Sequence, residues 1–189
     1  MRENMLDLLA DNPIIAAVKD EDGLQKVVQS NCHLVFILFG NICNIGQIVA
    51  QVKAAGKVAF VDIDLVEGTS NREIVVDFMR KNTETDGIIS SKPSIVRSAK
   101  MKGFYTIHRF FLIDSMSYHN LPKQVAASKT DCVEILPGCM PKVLGWVQDA
   151  ISQPIIASGL VCDKEDVLTA LQAGAVAISS TSPDVWDNI

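Results

Sequence analysis

PIIASGLVCDKEDVLTALQAGAVAISSTSP, residues 154–183, reads as a complete strand–helix–strand unit. Two short apolar runs, beginning near Pro154 and Ala175, flank an amphipathic stretch from Asp163 to Ala173. The runs are too continuous for strands with one wet face. Buried on both faces, they read as parallel strands joined by a crossover helix. Outward from this unit the same alternation recurs, with apolar runs beginning near Pro13, Leu34, Val58, Gly87, Tyr105 and Cys132 and amphipathic segments such as Ile45–Ala55 between them. Eight such units predict an α/β fold, a compact TIM-type (β/α)8 barrel. The 189 residues lie just below the usual lower bound of about 200 for that fold, so one unit is expected to be reduced. A doubly wound open sheet is the structural alternative. The segment after the first strand is Lys19-Asp20-Glu21-Asp22-Gly23, not the glycine-rich turn a dinucleotide fold places there.

Composition narrows the class. A hydrophobic content of 48% excludes a disordered chain, and five cysteines without a C-x-x-C pair exclude a disulfide scaffold or a clustered zinc site. The longest unbroken apolar run, Leu34–Phe39, is too short to cross a membrane, and Glu3, Asp7 and Asp11 interrupt the region where a signal peptide would be apolar. One domain over residues 1–189, cytoplasmic and without a membrane partner, is the expectation. A homo-oligomer is compatible with the sequence.

In a barrel, chemistry collects where strands end. The successive ends offer Lys19, then Asp62 and Asp64, Ser90 and Lys92, Arg109, Glu134 with Gly138, Ser158-Gly159, and Ser180-Thr181-Ser182. Gly159 would let the backbone approach a phosphate closely, with amides of Ser180–Ser182 directed at its oxygens and Ser182-Pro183 opening a short helix behind it. Asp62 and Asp64, two apart, leave one face of their strand and suit a hydroxyl pair, a magnesium ion or acid–base work. Arg109 is placed either to clamp a phosphate or to pair with Glu134, while His108, of opposite parity, packs under a helix. No strand end carries an obvious Schiff-base lysine. From Arg80 to Arg109 seven basic residues face two acidic ones, giving a +5 segment in a chain of net charge −5. Arg97, Lys100 and Lys102 lie within it, on what is either a solvated face or a face for an anionic partner such as RNA.

Ala17–Asp20, Gly87–Lys92 with Ala99-Lys100 and Gly103, Arg109–Ser115, Val133–Gly138 with Met140-Pro141, and Gly159-Leu160 form a series. From about residue 13 to Trp186 the chain resembles the glycerol uptake operon antiterminator regulatory proteins of bacteria. The likeness is most specific in E-[IV]-L-P-G-x-M-P at Glu134–Pro141 and R-x-F-L-[LI]-D-S at Arg109–Ser115. The resemblance implies a non-catalytic barrel without a cofactor. It would respond to glycerol 3-phosphate, bind leader mRNA and prevent termination ahead of glycerol-utilisation genes. It implies Asp64 and Glu134 for the glycerol hydroxyls and turns Arg97, Lys100 and Lys102 into an RNA face. The chain departs from the pattern in having Lys19 for arginine, Ser158 for the first glycine of a pair, and an added acid at Asp62. Asp62, Asp64, Glu134 and Arg109 also motivate a competing reading, a small phosphate-handling enzyme of isomerase, lyase or phosphodiesterase type.

Overall fold

The computed structural model describes residues 4–187. Helix α1 (Met5–Asp11) precedes β1 (Ile14–Val18), α2 (Glu21–Val27), β2 (Leu34–Ile37), α3 (Ile45–Ala54), β3 (Val58–Asp62), α4 (Ile74–Asn82) and β4 (Gly87–Ser90). The second half runs α5 (Pro93–Met101), β5 (Tyr105–Phe111), α6 (Ser115–Ser128), β6 (Cys132–Leu136), α7 (Pro141–Ala150), β7 (Ile155–Ser158), α8 (Lys164–Gln172), β8 (Ala177–Ser180) and α9 (Pro183–Asp187). Each strand pairs in parallel with the next, and β8 returns to β1, where Ile14 sits opposite Ile178. The sheet therefore closes into the TIM-type barrel, not the open alternative. No strand is lost to the short chain. The economy lies in strands of only 4 to 7 residues.

Side chains alternate across the barrel wall. Outward residues such as Val35, Val61, Val133 and Ile178 pack under the helices in two large apolar groups. Inward residues, among them Phe36, Phe60, Ile89, Ile107 and Ile156, fill the barrel itself, so it is a packed core and not a pore. Helix α1, which the strand-helix alternation did not anticipate, adds Met5, Leu8 and Leu9 to that interior group and closes the end where the strands begin. Its start is capped by Asn4, whose side chain accepts from the Leu6 amide at 3.3 Å. All strands leave the barrel at the opposite end, which gathers the polar strand termini into one mouth. Among the described residues, no helix is long and apolar enough to cross a membrane.

Gly87, which opens β4, is the tightest point of the interior. A Cβ there would run into the Phe60 ring, which is itself held against Phe36 at 5.5 Å. Gly87→Ala should therefore lower unfolding free energy by about 1–3 kcal/mol, the usual cost of an overpacked core. Urea denaturation measures this, and Phe60→Leu added to the alanine variant should recover part of the loss.

Candidate functional site

A cavity of about 330 Å³ opens at the mouth, over the ends of β6, β7, β8 and β1. Its walls are apolar at Ala17, Leu38, Leu136 and Leu160, and polar at Ser158 and Ser179–Ser182, while Arg109 and Glu134 reach it from below. The loop leaving β7 turns through two consecutive left-handed residues, Gly159 (φ 74°) and Leu160 (φ 57°). Glycine takes that conformation freely, whereas a leucine there is strained. The turn leaves Leu160 67% exposed at the rim. Among the described residues, Ser158 Oγ is the buried side-chain oxygen without a hydrogen-bond partner, and it sits in the wall of this cavity. Buried polar groups are nearly always satisfied, so an orphan in a pocket wall points to a ligand.

Below the cavity lies a buried ionic bridge. Arg109 Nε donates to Glu134 Oε2 at 2.6 Å and Nη1 donates to Asp62, so one guanidinium on β5 joins carboxylates from β3 and β6. Burial works against the Arg109 charge, but Glu134 and Asp62 outweigh it and hold the guanidinium more firmly protonated than usual. Two carboxylates share one cation. Burial, reinforced by the negative charge of Glu134 and opposed by Arg109, raises Asp62 to about 6.

A second polar knot forms beside the bridge, between the ends of β3 and β4. Asp64 accepts from Ser90 Oγ at 2.9 Å, from the Ser91 amide and hydroxyl at 2.7 Å each, and from Lys92 Nζ at 2.7 Å. Burial pushes its pKa up, yet the Lys92 and serine hydrogen bonds prevail and lower it below the ordinary carboxylate value. Behind it His108 is buried under α6, with ring nitrogens 3.0 Å from Ser128 Oγ and 3.3 Å from the Ser91 carbonyl. Burial lowers its pKa to about 4, which keeps the ring neutral at physiological pH.

The expected site is thus only partly assembled around the cavity. Glu134, Gly159, Ser180 and Thr181 line it, as does Arg109, whose Nε and Nη1 go to Glu134 and Asp62, the first of them the pairing the sequence allowed. Ser180 Oγ donates to the Val161 carbonyl at 2.7 Å and accepts from the Ser182 amide at 3.2 Å, so that amide is turned inward. Asp64, Ser90 and Lys92 satisfy one another in the neighbouring knot and do not line the cavity. The two-residue spacing put Asp62 and Asp64 together, but Asp62 turns to Arg109 and Asp64 lies past the strand end. Lys19 stands exposed beyond β1, outside the cavity wall. Gly138 is buried against β7, its amide donating to the Ser158 carbonyl at 2.6 Å. A Cβ at this position would meet the Ser158 amide at 2.6 Å, so the glycine is required by packing. On the basic segment Arg97 is exposed, whereas Lys100 pairs with Asp131 and Lys102 with Asp77, near the strand starts and away from the mouth. The sequence places Ser158 at the seventh strand end and as a departure from the family pattern, but not among the expected binding residues. Its parity with inward Ile156 was the available signal.

Residues 14–186 match the family model of the glycerol-3-phosphate responsive antiterminators. The chain belongs to that family. It is 56% identical over 182 residues to the protein YgcP of Escherichia coli (strain K12), covering 96% of this chain and 95% of that one. The glycerol uptake operon antiterminator regulatory protein of Listeria monocytogenes superposes with a TM-score of 0.91 at 27% identity, covering 95% and 97% of the two chains. The glycerol uptake operon antiterminator-related protein of Thermotoga maritima gives 0.82 at 34% identity, covering 93% and 98%. Aldolase barrels at 11–14% identity share the fold alone.

The raised Asp62 has a measurable consequence in this antiterminator-family barrel. Because its folded-state pKa lies above the unfolded value of 3.8, the stability it contributes is fully present below about pH 3.8 and is lost as pH rises through about 6. Asp62→Asn keeps a partner for Arg109 and removes the titration. Between pH 4 and pH 7 the variant should lose about 2 kcal/mol less stability than the parent protein. Urea midpoints at the two pH values give the comparison, and parallel loss in both proteins would contradict it.

Proposed function

We propose that this protein is a cytoplasmic, non-catalytic regulator. Its mouth cavity takes glycerol 3-phosphate, and occupancy there governs binding to the leader mRNA of glycerol-utilisation genes. The observation that carries the reading is the buried, unpartnered Ser158 Oγ in the wall of a cavity with two chemically distinct ends. The Gly159 turn with Ser158, Ser179 and Thr181 offers the anion an exposed backbone and hydroxyl donors. Glu134, in the cavity wall, suits the glycerol hydroxyls, which donate to carboxylates. Asp64 is assigned a supporting part: with Ser90 and Lys92 it fixes the loop after β4 beside the ligand. Lys19, exposed at the rim, adds positive charge on the approach to the mouth. For RNA, Arg97 and Lys100 are the exposed cations of α5, and Lys100 carries an ion pair with Asp131. Lys100 and Lys102 would exchange surface ion pairs, which are worth little, for phosphates.

The competing enzyme reading is favoured by one feature, an Asp62 proton near pH 6, a range useful for general acid–base work. Turnover of sugar phosphates or phosphodiesters that is lost in Asp62→Asn would carry that reading instead.

Ser158→Ala separates ligand binding from stability. Removing an unsatisfied buried hydroxyl should leave the melting temperature equal or slightly higher, yet weaken glycerol 3-phosphate affinity by about tenfold. In the parent protein, ligand at about a hundred times its dissociation constant should add about 2.7 kcal/mol, several degrees in a thermal melt. Glycerol and inorganic phosphate serve as controls. An equal rise with phosphate alone would overturn the assignment of the glycerol end. In a leader-RNA titration, Arg97→Ala should reduce the salt slope of log affinity by about 1.

A further inference from the structure

His108 is a buried titratable group that the cavity leaves unused, yet it is the chain neighbour of Arg109 on β5. Consecutive strand residues point to opposite faces, so Arg109 lines the cavity while His108 lies outside the barrel wall. Hydrogen bonds join the two a second time. Arg109 Nη1 donates to Asp62, and Asp62 Oδ1 accepts from the Asp64 amide at 3.0 Å. The Asp64 carboxylate accepts from the Ser91 amide at 2.7 Å, and the Ser91 carbonyl lies 3.3 Å from His108 Nε2. Across the ring, Nδ1 is 3.0 Å from Ser128 Oγ, which is placed to donate to the Val125 carbonyl at 3.1 Å. Packing on Phe110, with ring centroids 4.1 Å apart, holds the imidazole between these partners.

This network is one proton short. Its three links, Ser91 to the ring, the ring to Ser128 and Ser128 to Val125, run between two carbonyl acceptors and need three hydrogens. A neutral imidazole and one hydroxyl supply two. With the proton on Nδ1, the ring donates to Ser128 and Ser128 donates to Val125, while the Ser91 link is unmade. With the proton on Nε2, the ring donates to the Ser91 carbonyl and the Ser128 hydroxyl turns to donate to Nδ1. Val125 then keeps the Lys129 amide as its donor, at 3.1 Å. Each arrangement makes two bonds, so the two lie close in energy and a small bias selects between them. The contact to Ser128 is the shorter, which favours Nδ1–H as the resting arrangement.

We propose that His108 is a two-state coupling residue whose ring proton moves from Nδ1 to Nε2 as the mouth cavity fills, carrying occupancy to the loop that opens α5. Resting on the reading of the mouth as a ligand cavity, the coupling runs through groups already in contact. A ligand held against Arg109 bears on Asp62 and, through Asp64, on the Ser91 peptide, whose carbonyl the ring grips only in the Nε2–H form. One proton is lost from Nδ1 to water and one is regained at Nε2 from water, so the ring is neutral before and after. Ser91 precedes Lys92, the N-cap of α5, and the grip therefore reaches the helix that carries Arg97.

Proton–nitrogen correlation spectra of the isotope-labelled full chain read the protonated ring nitrogen directly. The chain has three histidines, and the signals lost in His108→Gln assign the ring. The parent protein should show mainly Nδ1–H, and saturating glycerol 3-phosphate should raise the ratio of Nε2–H to Nδ1–H by about fivefold or more. Asp62→Asn disturbs the same network without any ligand and should move the ratio by about twofold or more. Ser128→Ala removes the acceptor for Nδ1–H and should hold the ring as Nε2–H whether or not ligand is added. A ratio that stays put while a thermal melt shows glycerol 3-phosphate bound would overturn the proposal, as would Nδ1–H persisting in Ser128→Ala. If the melt shows no binding, the reading of the mouth fails by itself, and Asp62→Asn decides the coupling: a ratio equal to the parent's overturns it.

Discussion

Arg109 stands at the height where the barrel stops being core and becomes a site. Two residues before it, Ile107 lies in the apolar interior, and the neighbouring strands step the same way, from Phe60 to Asp62 and from Cys132 to Glu134. The two-residue period of a strand turns these steps into layers: one ring of apolar side chains, and above it one ring of polar ones. Carboxylates in the upper ring are tolerable because a guanidinium reaches both. Removing it would strand two buried negative charges, a change that commonly costs about 3–5 kcal/mol. The remaining imbalance, two acids on one base, is relieved by the Asp62 proton near pH 6. The bridge is therefore at once the lid of the hydrophobic interior and the floor of the cavity.

Much of this architecture was legible in the chain. The strand starts read at Leu34, Val58, Gly87, Tyr105 and Cys132 coincide with β2 to β6, and those read at Pro13, Pro154 and Ala175 fall one or two residues before β1, β7 and β8. Continuous apolar runs carry that information because a strand buried on both faces has no choice of side chain. Helix α1 was not legible. A seven-residue amphipathic helix outside the alternation has no periodic signal, and its role as a plug exists only once the barrel is closed.

The site was legible at its strand ends but only partly in its pairing. Parity placed Arg109 inward and His108 outward, as found. The Arg109–Glu134 pair was readable from adjacent strands, whereas Asp62, on a strand 47 residues away and not a neighbour of β5, was not. Asp64 illustrates the limit best. The spacing from Asp62 predicts a shared face, but that rule holds only while the chain remains a strand, and β3 ends at Asp62. One residue of backbone turn is enough to redirect Asp64 to Ser90, Ser91 and Lys92. Likewise the +5 segment looked like one basic face, whereas folding distributes it. Lys92 and Arg109 go to the mouth, while Lys100 and Lys102 go to carboxylates on neighbouring elements near the strand starts.

Ser158 ties the two halves of the argument together. In a closed barrel every inward residue of the upper ring must be apolar, paired, or directed into the cavity. Arg109, Asp62 and Glu134 are paired, and Leu136 is apolar. Ser158, beside Ser179 on β8, is neither, and its hydroxyl is buried without a hydrogen-bond partner. Alanine in its place would preserve the packing and remove a desolvated oxygen, so fold stability alone gives no reason for serine here. The hydroxyl becomes favourable only when an acceptor or donor enters the cavity beside Gly159. A position where stability and chemistry disagree is better evidence for a binding site than the cavity's shape, since shape alone could be produced by imperfect packing.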